Sequence, residues 1–441
     1  MVIVSLYKAV MTDTPHVRTI GELWREGVAR KRPWPAYLVE QDGDWQAVSW
    51  AQAGRRVDEL ANGLLELGLR KGETFAILGS TRIEWALLDF ALACVGAVTV
   101  GVYANSSARE TRHIVEHSEA VGAVVEGEQQ RAKLGGTALR HLLAFDELDE
   151  LAARGRRYAA QHPGALDAAV AAVGEDDLFT LIYTSGTTGP PKGCMITHRN
   201  FHAMVTVVDR LPEFTQARDS VLLFLPLAHN FARLMHLGGP HIGYTIAFLD
   251  DPLRVFDALP QVRPQVFPSA PRFYEKIHAG VLQSLEQSQG AKRRVGEWAL
   301  RTGYDVSRLR QAGKPIRPAL ALRHRAADRL LHAKVRARLG GRLRLGFSGG
   351  APLSKDVCEF FHAIGVLVIE GYGLTECTAA VTVNRPDAFR FGTVGQALPG
   401  IELTLADDGE LLVGGETVFA GYLKDPAATR DALDDDGRLR T

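Results

Sequence analysis

The sequence predicts an α/β fold: two crossover-rich α/β subdomains packed together, then a smaller β-rich, barrel-like subdomain. Three observations lead there. Helical and strand-like patterns alternate through the first 180 or so residues. The same texture resumes after a Ser/Thr/Gly-rich loop near residue 185. From residue 391 onward, short alternating runs with frequent Gly and Asp-Gly replace it. Strand–helix–strand spacing requires crossover connections and a largely parallel sheet. Short alternating runs with tight-turn residues suggest antiparallel pairing. The expected subdomains are 15–200, 201–385 and 386–441.

The elements follow in order. "SWAQAGRRVDELANGLLELGL" begins with Ser49 and carries Ala53, Val57, Leu60, Ala61, Leu64 and Leu65 at helical spacing before Gly68. "ETFAILG" is a short apolar strand, "RIEWALLDFALACVG" a second helix and "AVTVGVY" a second strand. "AVGAVVEG" and "LRHLLAF" read as further strands, as do "SVLLFLPLAH" and "RPQVFPS" after the loop. Residues 291–344 form a helical, basic stretch with 16 Lys+Arg against three acids (Glu297, Asp305, Asp328), a local excess of +13. No internal repeat or low-complexity linker interrupts the chain.

Composition bounds the function. The chain has 441 residues, 46% hydrophobic and 23% charged, which suits a globular protein of two to four subdomains. Lys+Arg and Asp+Glu balance at 51 each, which argues against nucleic acid as a partner. The four cysteines, Cys94, Cys194, Cys358 and Cys377, form no CxxC pair, which argues against a disulfide scaffold or structural zinc. The longest apolar run, "ALACVGAVTVGV", is too short to span a bilayer, and the N-terminus lacks a signal-peptide pattern. The expectation is a cytoplasmic protein. His229, His236 and His241 match no HExxH spacing and have no carboxylate beside them, so a metal cluster there is not expected.

The loop lies within "LIYTSGTTGPPKGCMITHRN", residues 181–200. Residues 184–193 hold four hydroxyls, three glycines and Lys192. Backbone N–H groups of a Gly-rich loop after a strand bind anions, hydroxyls add donors and a lysine adds charge, so a phosphate is the expected guest. A Walker A loop places Lys directly after its second Gly; here Pro190 and Pro191 intervene, which counts against a P-loop kinase. The alternative is an ordinary surface connection.

Four stretches carry a resemblance. "YTSGTTGPPKG", "SGGAPL" (348–353), "EGYGLTE" (370–376) and "GELLVGGETVFAGYLKDPAAT" (409–429) occur in that order. They resemble the motifs of the adenylate-forming superfamily of acyl-CoA synthetases, luciferases and adenylation domains. "TRIEWALLDFALACVGAVTVGVYANSS", "FLPLAHNFAR" and "PSAPRFYEK" resemble the bacterial long-chain fatty-acid–CoA ligases within it.

That resemblance implies a two-step reaction. A carboxylate attacks the α-phosphate of ATP, giving acyl-AMP and pyrophosphate; the thiol of coenzyme A then takes the acyl group and expels AMP. Thr184, Ser185, Gly186, Thr187, Thr188 and Gly189 would wrap the phosphates, with Lys192 adding charge. Glu376 with Thr184 would hold Mg²⁺, which prefers hard oxygen donors. Tyr372 would pack on adenine. Gly349, Gly350, Ala351, Gly371 and Gly373 would leave room for the base, and Glu370 belongs to the same motif. Thr375 would contact the α-phosphate. His229, Asn230 and Arg233 would sit beside the acyl carboxylate, although His229 reads equally well as a structural histidine. The basic stretch reads either as a solvated face or as a contact with anionic lipid at the inner membrane face or with coenzyme A phosphates. Oligomeric state is not legible.

The sequence departs from the family at "DDDGRLRT", 434–441. The family continues into a ribose-binding Asp, a hinge and a small C-terminal domain with the bridging lysine. The expectation is that this chain is the ATP- and acyl-binding portion, without that domain. A fatty-acyl-AMP ligase loading a carrier protein, or a non-catalytic nucleotide- or lipid-binding module, remains open as an alternative.

Overall fold

A computed structural model describes residues 18–184 and 190–441. Local chemistry sets the helices much as the sequence predicts. Ser49 caps Trp50–Glu66 by accepting from the Gln52 N–H, and Gln52 returns the bond. The helix then buries Ala53, Val57, Leu60, Ala61 and Leu64 along one face. Ile83–Val95 buries every residue from Trp85 to Val95, which explains its lack of a polar face.

Two sheets dominate. The first has seven strands in the order Gly421–Tyr422, Lys192–Thr197, Leu178–Thr184, Val98–Tyr103, Thr74–Gly79, Gly122–Val125, His141–Ala144. The last five are mutually parallel. The second sheet has nine strands, centred on Leu367–Tyr372, Leu345–Ser348, Val266–Ser269, Ser220–Leu223 and Thr245–Phe248, all parallel. Its edge is the hairpin Tyr37–Gln41 and Asp44–Val48, joined through Tyr37↔Ile246.

That hairpin corrects the expected boundary at residue 200. Parallel strands need distant partners, and Tyr37 finds its aromatic neighbours at Trp50 and Phe248, with ring centres 6.3 and 5.4 Å away. Gly421–Tyr422 likewise returns to the first sheet. The β-rich segment is a three-stranded antiparallel sheet, Glu402–Leu405, Leu411–Gly414 and Leu439–Arg440, not a closed barrel. Its outer strand is exposed along its whole length, so among the described residues nothing closes it.

Alternate strand residues enter different cores. Val221 and Leu223 face the central core, while Leu222 faces another, beneath the basic helix Gly290–Gln311. Phe75 and Ile77 face the same central core from the first sheet; Ala76 and Leu78 face away. A helical layer holding Ile83–Val95, His198–Thr206 and Asn230–Ile242 therefore lies between the sheets.

One buried ion pair crosses that layer. Arg233, on Asn230–Ile242, is fully buried and donates through Nε to Asp89 Oδ2 at 3.0 Å and through Nη2 to Asp89 Oδ1. Its Nη1 donates to Thr180 Oγ1 at 2.6 Å, and Thr99 Oγ1 donates to Asp89 at 2.8 Å. The guanidinium also lies over the Phe179 and Trp85 rings at 4.7 and 5.3 Å. Burial pushes the Asp89 carboxyl up, and the bidentate guanidinium opposes that.

Removing one partner leaves an uncompensated buried charge. Asp89→Asn is expected to cost about 3–5 kcal/mol in equilibrium denaturation, and Asp89→Leu combined with Arg233→Met clearly less. A double variant at least as destabilised as the single one would contradict this account of the pair.

Candidate active site

A cleft of about 580 Å³ opens at the carboxyl ends of the strands. Thr184 ends its strand there, Gly349 and Gly350 follow Leu345–Ser348, and Tyr372 ends Leu367–Tyr372. Lys192, Gly371, Gly373, Thr375 and Glu376 line the same cavity. So do His229 and Asn230, at the start of the helix Asn230–Ile242. Ser185, Gly186, Thr187, Thr188 and Gly189 lie outside the described residues.

Three expected site residues stand elsewhere. Arg233 is not beside an acyl carboxylate: one helical turn past His229 it points into the interior, held by Asp89. Glu370 does not line the cleft. It is buried and accepts from the Leu353 N–H at 2.8 Å, so it holds the loop that carries Gly349 and Gly350. Burial pushes its carboxyl up from the usual range. Ala351 is exposed and outside the cavity lining.

The glycines divide by role. A Cβ on Gly350, at φ +82°, would meet nothing within 4 Å, so this position offers open space to a base. A Cβ on Gly373 would meet the Ala379 carbonyl oxygen at 1.7 Å. Gly373 therefore serves a close backbone crossing that shapes the loop before Thr375.

Two charged side chains face each other across one aromatic ring. Tyr422 Oη donates to Glu376 Oε1 at 2.7 Å. Lys192 Nζ lies 5.1 Å from the Tyr422 ring centre and 3.8 Å from Asp425 Oδ2. Burial, and the Glu376 carboxylate it bonds, push the Tyr422 phenol well up, so it remains a donor. Sequence reasoning missed Tyr422; its signal was the Gly-Tyr pair within "VFAGYLKD". Beneath them Cys194 Sγ lies 4.0 Å from Thr184 Oγ1, and burial raises its thiol well above the usual range.

His229 caps its helix by accepting the Phe231 N–H on Nδ1 at 3.1 Å, which leaves the proton of the neutral ring on Nε2. Desolvation lowers its pKa. Asn230 Nδ2 donates to the Thr375 carbonyl at 3.4 Å, while its buried Oδ1 has no partner. Ser348 Oγ, also on the cleft wall, is buried and unpartnered. Buried polar atoms left open on a cavity wall point to a polar ligand.

Beyond His229 the cleft turns apolar. Met204, Val208, Leu234, Met235, Gly238 and Tyr244 line this part. A Cβ on Gly238 would approach Tyr244 Oη to 2.7 Å, so the glycine lets the buried Tyr244 phenol pack against this helix.

The donor set suits Mg²⁺. Thr184 and Glu376 supply hard oxygens to one cavity, few in number, as an ion that keeps waters and phosphate oxygens requires. Among the described residues no group of three or more His, Cys, Asp or Glu could hold a metal.

A family model described as AMP-binding enzyme matches residues 24–423. The chain belongs to this family. This AMP-binding enzyme is 38% identical over 444 residues to the long-chain-fatty-acid–CoA ligase FadD15 of Mycobacterium bovis, covering 96% of the chain and 72% of that relative. It is 31% identical over 451 residues to the long-chain-fatty-acid–CoA ligase ACSBG2 of Xenopus laevis, covering 96% and 60%. Among solved structures, the N-terminal domain of FACL13 from Mycobacterium tuberculosis aligns with TM-score 0.72 at 22% identity, over 96% of this chain and 95% of that one. ATP-bound MatB from Rhodopseudomonas palustris aligns with TM-score 0.71 at 24% identity, over 96% and 75%. At these identities the structural matches establish the fold of the AMP-binding enzyme and nothing further.

Proposed function

We propose that the chain binds Mg²⁺, ATP and a long-chain fatty acid in this one cleft, as the substrate-holding part of an AMP-forming fatty-acid–CoA ligase. The observation that carries the reading is continuity. Phosphate-side residues Thr184, Lys192 and Glu376, base-side residues Tyr372 and Gly350, and an apolar bore between two helices belong to one cavity. A nucleotide and a long acyl chain would meet beside His229 and Asn230, which line the same cavity.

The chemistry follows from that meeting point. The carboxylate would lie at the amino end of a 13-residue helix, where the helix dipole favours an anion. Neutral His229 adds an N–H donor without a competing charge. One carboxylate oxygen bonds to the α-phosphorus of ATP, and the bond to pyrophosphate breaks. The coenzyme A sulfur then bonds to the acyl carbon as the bond to AMP breaks and the thiol proton leaves. A bound Mg²⁺ would neutralise phosphate charge during the first step. Lys192 supplies positive charge on the same side, Thr375 contacts the α-phosphate, and the cleft excludes water from the mixed anhydride.

We also assign an anionic-lipid contact to the basic helices. Arg310, Lys314, Arg317, Arg323, Arg325 and Arg329 are exposed and take part in no ion pair among the described residues. Leu322 and Leu330 stand among them at 69% and 48% exposure. Cations beside protruding leucines suit an anionic bilayer surface. No helix among the described residues is long and apolar enough to cross a membrane.

Three outcomes test these assignments. Lys192→Ala and Glu376→Ala should each weaken Mg²⁺-ATP binding about tenfold or more by calorimetry, roughly the loss of one charge-assisted contact; unchanged binding would remove the phosphate reading. Leu234→Trp should abolish palmitate binding and spare short-chain acids, since the partly buried Leu234 side chain lines the bore; equal loss across chain lengths would contradict the bore. The chain should co-sediment with phosphatidylglycerol vesicles and not with phosphatidylcholine, and Arg323→Glu/Arg325→Glu/Arg329→Glu should abolish that; indifference to lipid charge would rule the contact out.

A further inference from the structure

We propose that Tyr422 is a positioning residue that holds the Glu376 carboxylate ready for the metal and keeps it apart from Lys192. The inference rests on the nucleotide reading of the cleft and goes beyond it by adding a residue with a distinct task.

Glu376 lies in the short turn Thr375–Cys377, and a turn of that length does not by itself fix a carboxylate. The segment 419–422 fixes it from two sides. The Phe419 N–H donates to the Glu376 carbonyl at 2.8 Å, which anchors the backbone. Tyr422 Oη donates to Oε1 at 2.7 Å, which sets the side chain.

Tyr422 is itself held rigidly. Its strand pairs with Lys192–Thr197 through Tyr422↔Cys194 and Gly421↔Met195. Its N–H donates to Thr429 Oγ1 at 2.9 Å, and its ring meets Phe419 edge-on at 4.9 Å. The phenol therefore carries the register of the phosphate-side strand over to the carboxylate.

The ring has a second effect. Lys192 Nζ lies over its face at 5.1 Å. An ammonium and a carboxylate free to move in one cleft would pair and cancel. Here the carboxylate is bonded to the ring's hydroxyl, while the ammonium rests on the ring face in an exposed ion pair with Asp425, so the two do not pair with each other. Hydrogen bonds that orient a metal-binding carboxylate are worth about 10–100-fold in metal affinity.

The test is a Mg²⁺ titration of ATP binding by calorimetry on this chain, with and without metal, for wild type, Tyr422→Phe, Glu376→Gln and the double variant. The Mg²⁺ midpoint of Tyr422→Phe should rise about tenfold or more, and by more than its metal-free ATP affinity falls. Glu376→Gln should raise the midpoint too, and adding Tyr422→Phe should raise it little further, because both remove one interaction. A Tyr422→Phe midpoint within twofold of wild type overturns the proposal while leaving the nucleotide reading intact. So do effects that multiply in the double variant, which would mark Tyr422 as merely structural. Wild-type chain that binds no Mg²⁺-ATP overturns both.

Discussion

The geometry of this molecule depends on a buried guanidinium. Arg233 belongs by sequence to a helix of the nine-stranded sheet, yet its partners Asp89 and Thr180 belong to the seven-stranded one. Such a pair gains little net stability over apolar packing, because desolvation offsets most of its attraction. What it supplies is register: a bidentate contact tolerates far less sliding than an apolar one. The helix so fixed carries His229 and Asn230 at its start and Gly238 two turns further on. The junction between the proposed nucleotide and acyl ends of the cleft is therefore set by a residue that lines neither.

The same economy recurs around the site. Glu370 holds the glycine loop from behind. Gly373 lets two backbone segments cross where a methyl group could not fit. Tyr422 ties the carboxylate of Glu376 to the strand that begins with Lys192. Arg233, Glu370 and Glu376 are each held by a neighbour distant in the sequence.

That division explains what could be read from the sequence. Helices and strands with a local cause were legible: the Ser49 cap, the apolar face of Trp50–Glu66 and the strand before Thr184. Contiguous motif residues also came out together, from Thr184 and Lys192 to Tyr372 and Glu376. Arg233 was misread because His229, Asn230 and Phe231 beside it in "PLAHNFAR" line the cleft, while its own partner, Asp89, lies 144 positions away and is not announced by any local pattern. Residues 37–48 fell within the expected first subdomain, 15–200, because parallel pairing is decided by residues some two hundred positions away, Tyr37 with Ile246. The bore beyond His229 was illegible, since its walls come from scattered helical positions whose apolar residues look like any core.

The central claim is that nucleotide and acyl chain share one cavity that turns at His229. A crystal structure of this chain with a long-chain acyl sulfamoyl-adenosine, a stable mimic of acyl-AMP, tests it most directly. The account requires the base at Tyr372 and Gly350, the sulfamate near Thr375 and Asn230, and the acyl chain passing Leu234 toward Gly238. A base bound there with the acyl chain lying outside the two helices would contradict it.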